Sequence, residues 1–516
     1  MSNRLKYAIF GVMAFGQFMA LIDIQIVAAS LNEVQAGLSA APDEISWVQT
    51  AYLMAELVMI PFSAFLTQAL STRWVFALSA GLFTISSVLC GLAWNIESMI
   101  AFRALQGFVG GAMVPTVFST GYVLFNGKQR AMMPAILGVV SVLAPTLGPT
   151  VGGWITDAWG WRWIFYINVV PGALVCVASF SLIRIDRANL PMLGRIDWVH
   201  LGSMAAFLAG LEYVLEEGPK NGWLDDSGIA VAVWLTVVSF VLFLERSFRS
   251  SGPIVVLTPF RNATFAFACV FNLVIGFGLY AGTYLVPLFL GRVRGYNASE
   301  IGTTVFVSGI AQLVGVPLAA ALSQRVDPRY VITAGLTLFA LGLWLFSFMT
   351  PDWGFAALFW PQVVRSFAFM LCIVPSVGLA LGHFSGPELR YASGLFNLMR
   401  NLGGAIGIAV VTTWLNDFSR LHLLRLNEAM GASARESRAV VGSLAHQFGT
   451  YTPDPQRALR MAEAVLGRIV GRQALTLAFD DVFRLMAWSS LAALILVPFC
   501  RPAPTGTGPA KPQVGH

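Results

Sequence analysis

The chain has 516 residues, 57% of them hydrophobic and only 11% charged, with a formal net charge of +6. Soluble domains carry about 25% charged residues, so the composition excludes a soluble enzyme or binding module and predicts an all-α integral membrane protein. The five cysteines all lie in apolar runs and show neither a disulfide framework nor metal-ligand spacing.

The chain opens on MSNRLKYAIFGVMAFG, a basic start followed by an apolar run that passes residue 28 without a small-residue cleavage site. It reads as a retained first span. Windows of about 20 apolar residues place fourteen spans, near 7–30, 45–69, 74–94, 98–124, 131–155, 162–184, 197–215, 228–245, 264–290, 299–323, 329–350, 354–382, 390–416 and 479–500. An even number puts both termini on one side. Sixteen Lys and Arg fall in the loops and tails of that side and four (Arg162, Lys220, Arg292, Arg294) in the short loops of the other, which places both termini in the cytoplasm. The basic balance follows from this topology, and no nucleic acid is expected as a partner.

Charges inside the first spans come next, because an ionised group in hydrocarbon costs at least about 2.5 kcal/mol and so marks function. At 1.5 Å per residue, Asp23 in MALIDIQIVAASL lies about 10 Å below the outer end of span one. Arg103 in SMIAFRALQGFVGG lies about 7–8 Å below the outer end of span four, a similar depth. Glu56 in TAYLMAELVMIP lies about 15 Å down span two. An arginine and burial act on a carboxylate's proton affinity in opposite directions, so the set predicts a carboxylate poised to load and release a proton. Other readings stay open. Asp23 and Arg103 also fit a static ion pair, and Glu56 also fits a permanently protonated hydrogen-bond partner or a cavity wall that selects cations.

Span five carries Gly148, Pro149, Gly152 and Gly153 in LAPTLGPTVGGWITD, and span thirteen carries Gly403, Gly404 and Gly407 in NLMRNLGGAIGIAV. Small residues allow close helix approach and proline removes a backbone donor; together they predict tight contacts that tilt during alternating access. Glu212, Glu216 and Glu217, at the outer end of span seven, are expected to be wet. Arg365 and Arg400 fall within apolar spans. For Arg400 a snorkelling structural role near the cytoplasmic third is favoured. Tyr280, Tyr284, Phe367, Met370 and Asn397 are candidate substrate contacts, since aromatic and Met side chains suit bulky lipophilic compounds.

Residues 417–478 form an outside connection far longer than the rest. Within it Leu459, Ala462, Leu466, Ile469 and Val470 fall at helical spacing, predicting an amphipathic hairpin. Such a hairpin either docks a partner or packs on the protein's own outer face. The tail 501–516, rich in Pro and Gly, is expected to be disordered.

LIDIQIV, RALQG, APTLGPTVGGWITDAWGWRWIFYINVVPG, LEEGPKNGW and GLFNLMRNLGGAIG, in this order, together resemble the fourteen-span drug:proton antiporters of the major facilitator superfamily, EmrB/QacA type. The resemblance implies two six-helix bundles, 1–190 and 251–500, with an inserted helix pair at 191–250. It also implies proton-driven export without a cofactor from an inner membrane, with lipophilic small molecules and protons as ligands. A periplasmic adaptor and outer-membrane channel are partners in EmrB-like members. Asp23 matches the first-span acid, Arg103, Gln106 and Gly107 the fourth-span coupling motif, and Gly148, Pro149, Gly152 and Gly153 the antiporter motif; Arg400 sits in the thirteenth-span stretch. One departure stands out. Between spans two and three the family's G-x-L-a-D-r-x-G-r gate is replaced by SAFLTQALSTRW, where Gln68 stands near the acid, Ser71 near the second glycine, and only Arg73 is basic. A charged gating latch is not expected there.

Multidrug efflux is therefore the leading expectation and export of one siderophore, lipid or fatty acid the alternative. The five histidines are scattered, and no phosphate-binding G-x-x-x-x-G-K-[ST] occurs, which argues against an enzyme or an ATP-driven pump.

Overall fold

The computed structural model describes residues 1–41, 44–125, 127–250, 254–432, 434–452 and 454–500; the tail expected to be disordered lies outside them. In hydrocarbon every backbone N–H and C=O must be satisfied within the segment, which leaves long apolar runs little choice but helix. In chain order the long helices are α1 (Asn3–Ala29), α2 (Trp47–Leu70), α3 (Thr72–Gly91), α4 (Ile96–Leu124), α5 (Gly127–Trp159) and α6 (Trp163–Leu182). The inserted pair is α7 (Trp198–Asn221) and α8 (Ser227–Arg249). There follow α9 (Ala263–Phe289), α10 (Ala298–Arg325), α11 (Pro328–Phe346), α12 (Phe355–Leu381), α13 (Gly386–Ala432), α14 (Ala434–Gly449) and α15 (Pro455–Ala492). Thirteen helical segments among the described residues are long and apolar enough to cross a membrane, and α5, 33 residues long, runs beside α1 among them.

Helix starts are set locally. Asn95 and Ser98 form a capping box at α4, and Asn297 with Glu300 forms another at α10. Asp197 caps α7 by accepting from the Val199 and His200 N–H groups, and the His200 N–H chiefly holds its carboxyl below the usual range.

The long helices pack in two groups. In the first bundle α1 lies on α5, α2 on α4, and α3 on α6; in the second α9 lies on α13, and both α10 and α11 lie on α12. The bundles meet where α5 touches α10 and α2 touches α13. The inserted α7 contacts α2 and α13, one helix from each bundle, whereas α8 is largely exposed and leans on α7.

The 417–478 connection is not a loop between spans. Trp223, in the α7–α8 connection, donates from its ring nitrogen to Thr413 at 3.0 Å, which marks the end of the bundle opposite the N-terminus. From there α13 runs on to Ala432, about 28 Å at 1.5 Å per residue. The return limb is α15, which starts at Pro455 and re-enters where Arg472 pairs with Asp352 at 2.9 Å. Its buried stripe is Ala458, Ala462 and Val470, while Leu459 and Ile469 of the predicted apolar face are exposed. α15 packs on both α13 and α14, and its small alanines suit close helix approach.

Candidate functional site

Asp23 of α1, the first candidate, lies in a closed polar cluster within the first bundle. Arg103 Nη1 donates to Asp23 Oδ2 at 2.7 Å; Gln106 Nε2 and Asn168 Nδ2 donate to Oδ1 at 3.1 and 2.6 Å. Both amides also donate to Ser87 Oγ, at 2.6 and 3.1 Å. Arg103 further donates to Gln106 Oε1 at 2.6 Å and to the Val48 carbonyl at 3.3 Å. Asp23 and Arg103 are both 0% exposed. The α4 register that delivers Arg103 also delivers Gln106 and Gly107. A Cβ at Gly107 would fall on the Tyr52 carbonyl, so α2 and α4 meet backbone to backbone and the Arg103 guanidinium lies 4.3 Å from the Tyr52 ring centroid.

The span-five glycines fit α5 against α1. A Cβ at Gly148 would strike Gln25 and one at Gly152 the Ile26 backbone, two and three residues past Asp23, whereas Gly153 faces open space.

Between the bundles lies a cavity of about 230 Å³. Neither Asp23 nor Arg103 lines it, but Glu56, Glu212, Arg365 and Arg400 do. Two expectations are corrected here. Glu212 is not wet: it is buried, because α7 inserts against both α2 and α13. Arg400 does not snorkel to the membrane surface: it lines the cavity, with Nη2 donating to Asn397 Oδ1 at 3.1 Å.

Of the candidate substrate contacts, Tyr280, Met370 and Asn397 line the cavity, while Tyr284 and Phe367 do not. At 100° per residue the α12 stripe of Arg365, Phe369 and Ile373 leaves Phe367 on another face, and on α9 the stripe centred on Gly282 and Thr283 turns Tyr284 away. Sequence reasoning missed Asn168, Ser87 and Tyr52 in the polar cluster and Glu212 and Arg365 in the cavity. The available signal was an unexplained polar residue within an apolar span.

The departed gate motif is answered elsewhere. Asp186, just after α6, accepts from the Thr72 backbone N–H at 3.0 Å and its hydroxyl at 2.8 Å, capping α3. It also pairs with Arg390 of α13, which in turn donates to the Thr67 carbonyl at 3.1 Å. A charged pair thus crosses the bundles at the N-terminal end, with Asp186 supplying the acid that the loop lacks. Ser71, near the expected second glycine of the gate motif, has φ +78° and ψ 153°, a region suited to glycine. Ser71→Gly is expected to raise stability by about 1 kcal/mol in thermal unfolding.

Residues 13–408 match the model of the Major Facilitator Superfamily. The chain is 40% identical over 484 residues to the colistin resistance protein EmrB of Acinetobacter baumannii, covering 94% of each chain. It is 26% identical over 498 residues to the multidrug export protein EmrB of Escherichia coli, covering 96% of this chain and 95% of that one. Among solved structures it resembles the proton:xylose symporter XylE at a TM-score of 0.59 and 12% identity, over 96% of this chain and 95% of that one, a likeness of fold alone. The chain belongs to the Major Facilitator Superfamily, among its EmrB/QacA-type drug:proton antiporters.

Proposed function

We propose that this protein is a multidrug efflux transporter of the inner membrane, with cytoplasmic termini, that exports amphipathic or lipophilic compounds in exchange for protons by alternating access. The observation that carries the reading is the separation of two charged sites in one bundle: a closed cluster around Asp23 and an open cavity wall at Glu56, joined through Tyr52. Asp23 accepts three hydrogen bonds, one of them from the Arg103 guanidinium, so a proton arriving there cancels the charge that holds Arg103. Freeing Arg103 disturbs its contact with the Tyr52 ring, and Tyr52 precedes Glu56 by one turn of α2. A proton taken from outside thereby acts on the wall where substrate sits; substrate leaves outward, and loss of the proton inward resets the carrier. The gradient supplies the energy, and no bound cofactor enters the cycle.

The test is proton release in energised inside-out vesicles challenged with lipophilic cations, anions and neutral compounds. Several unrelated compounds should dissipate the gradient. Response to one chemical class alone would replace this reading by export of a single metabolite, for which the two cavity arginines offer a site for a lipophilic acid. Response to none would sink proton-coupled export.

The projecting α13–α14–α15 hairpin supports a docking role toward an adaptor, since Leu424, Leu459 and Ile469 are exposed along it. Deleting 432–475 is expected to abolish resistance in cells while proton-coupled transport in vesicles survives. Loss of both would show instead that the hairpin serves folding or turnover.

A further inference from the structure

Five charged groups line the cavity; Glu216 of α7 pairs with Lys220 at 3.4 Å, and the other four divide by wall. Glu56 comes from α2 of the first bundle and Glu212 from the inserted α7; Arg365 and Arg400 come from α12 and α13 of the second bundle. Glu56, Glu212 and Arg365 are only 7%, 6% and 5% exposed. Among the described residues, no ion pair includes any of the four. Glu212 Oε2, Arg365 Nη1 and Arg400 Nε are each buried without a hydrogen-bond partner.

This arrangement is built into the packing. A Cβ at Gly342 would collide with the Arg365 backbone and one at Gly282 with its Nη1. Gly282 therefore makes room for the guanidinium, whose carbon lies 5.5 Å from the Phe346 ring centroid, and Gly342 lets α11 approach the α12 backbone at the same residue. On the other wall, α7 reaches both bundles and brings Glu212 between them. An unpaired buried charge is expensive, and a buried donor or acceptor without a partner adds to that cost. A ligand that supplies the missing partners recovers it, and one that carries a single charge satisfies only one wall.

We infer that the cavity is a dipolar site for zwitterionic amphiphiles, with a cationic nitrogen held by Glu212 and Glu56 and an anionic carboxylate held by Arg365 and Arg400. The apolar body attached to the charged pair rests on Leu53, Phe118, Phe369 and Met370, which line the same space. This assignment rests on the export reading and names the substrate class of its cavity. It also gives the inserted helix pair a function: α7 supplies one of the two acids.

The test uses the full chain in lipid nanodiscs and one fluorophore in four charge states. Nε-dansyl-lysine is the zwitterion, its methyl ester the cation, its Nα-acetyl derivative the anion, and the acetylated ester the neutral form. Fluorescence titration should rank the zwitterion tightest, with each singly blocked form weaker by about tenfold, the scale of one charge-assisted hydrogen bond. In Glu212→Gln the zwitterion should fall to the affinity of the anion while the anion itself is unchanged. In Arg365→Gln it should fall to that of the cation while the cation is unchanged. Such a crossed pattern does not arise from general loosening, and unchanged binding of the neutral form reports intact folding. Equal affinity for the neutral form and the zwitterion, or variants that weaken all four forms alike, would overturn the assignment. Proton release with the drug panel is read separately: its absence sinks the export reading, whereas its presence with a misordered dansyl series sinks the dipolar site alone.

Discussion

Arg103→Met is expected to destabilise the protein by about 3–5 kcal/mol, the usual cost of leaving one member of a buried ion pair alone. Asp23 keeps Gln106 and Asn168 as donors, but two neutral amides do not replace a guanidinium. Asp23→Asn should cost less, because its amide oxygen still accepts from Arg103, and it should remain folded while losing drug-induced proton release. The decisive variant is the double replacement Asp23→Leu with Arg103→Met. Removing both charges of a buried pair is often neutral or stabilising, so thermal unfolding should return toward that of the parent. Proton release in vesicles should stay absent, since no titrating group remains at that position. A double variant that still exchanges protons for drug would make Asp23 and Arg103 a packing device and pass the proton to Glu56.

How much of this was legible in the sequence follows from what each signal measures. Span positions and order were readable because hydrocarbon forces a long apolar run into helix. Asp23 and Arg103 were readable as lying at one level, since two helices rising at the same rate bring residues of equal depth level. Rotation about the helix axis was not readable. Phe367 differs from Phe369 by two residues, and only the packing of α12 decides which meets the cavity. Glu212 sat near an expected helix end and was assigned to water; α7 runs on to Asn221, which draws Glu212 inward, and its docking between bundles is a tertiary fact. Asp186 was invisible for a different reason. The gate motif is defined by a contiguous stretch, and a carboxylate arriving from after α6 serves the same place in space without matching it.

That substitution makes Asp186 and Arg390 the second strong test. Asp186 does two jobs, capping α3 through Thr72 and holding α13 through Arg390. Asp186→Asn separates them, because an amide oxygen still caps but carries no charge, whereas Arg390→Gln removes the cation and leaves the cap intact. A reporter is available nearby: Ser393 is fully buried and its hydroxyl donates to the Pro115 carbonyl of α4 at 3.1 Å, across the bundle interface. In a Ser393→Cys background, a membrane-impermeant maleimide applied to inside-out vesicles should label either latch variant at least about tenfold faster than its parent, the scale of one lost charged hydrogen bond. The closed state at this end is then held by the trans-bundle pair, and breaking it shifts the population toward opening. Since an open inner face admits substrate but slows return to the outward state, the variants should bind drug normally and turn over slowly. Equal labelling in parent and variants would show that the Ser393–Pro115 contact and the packing of α2 on α13 close this end without the ion pair.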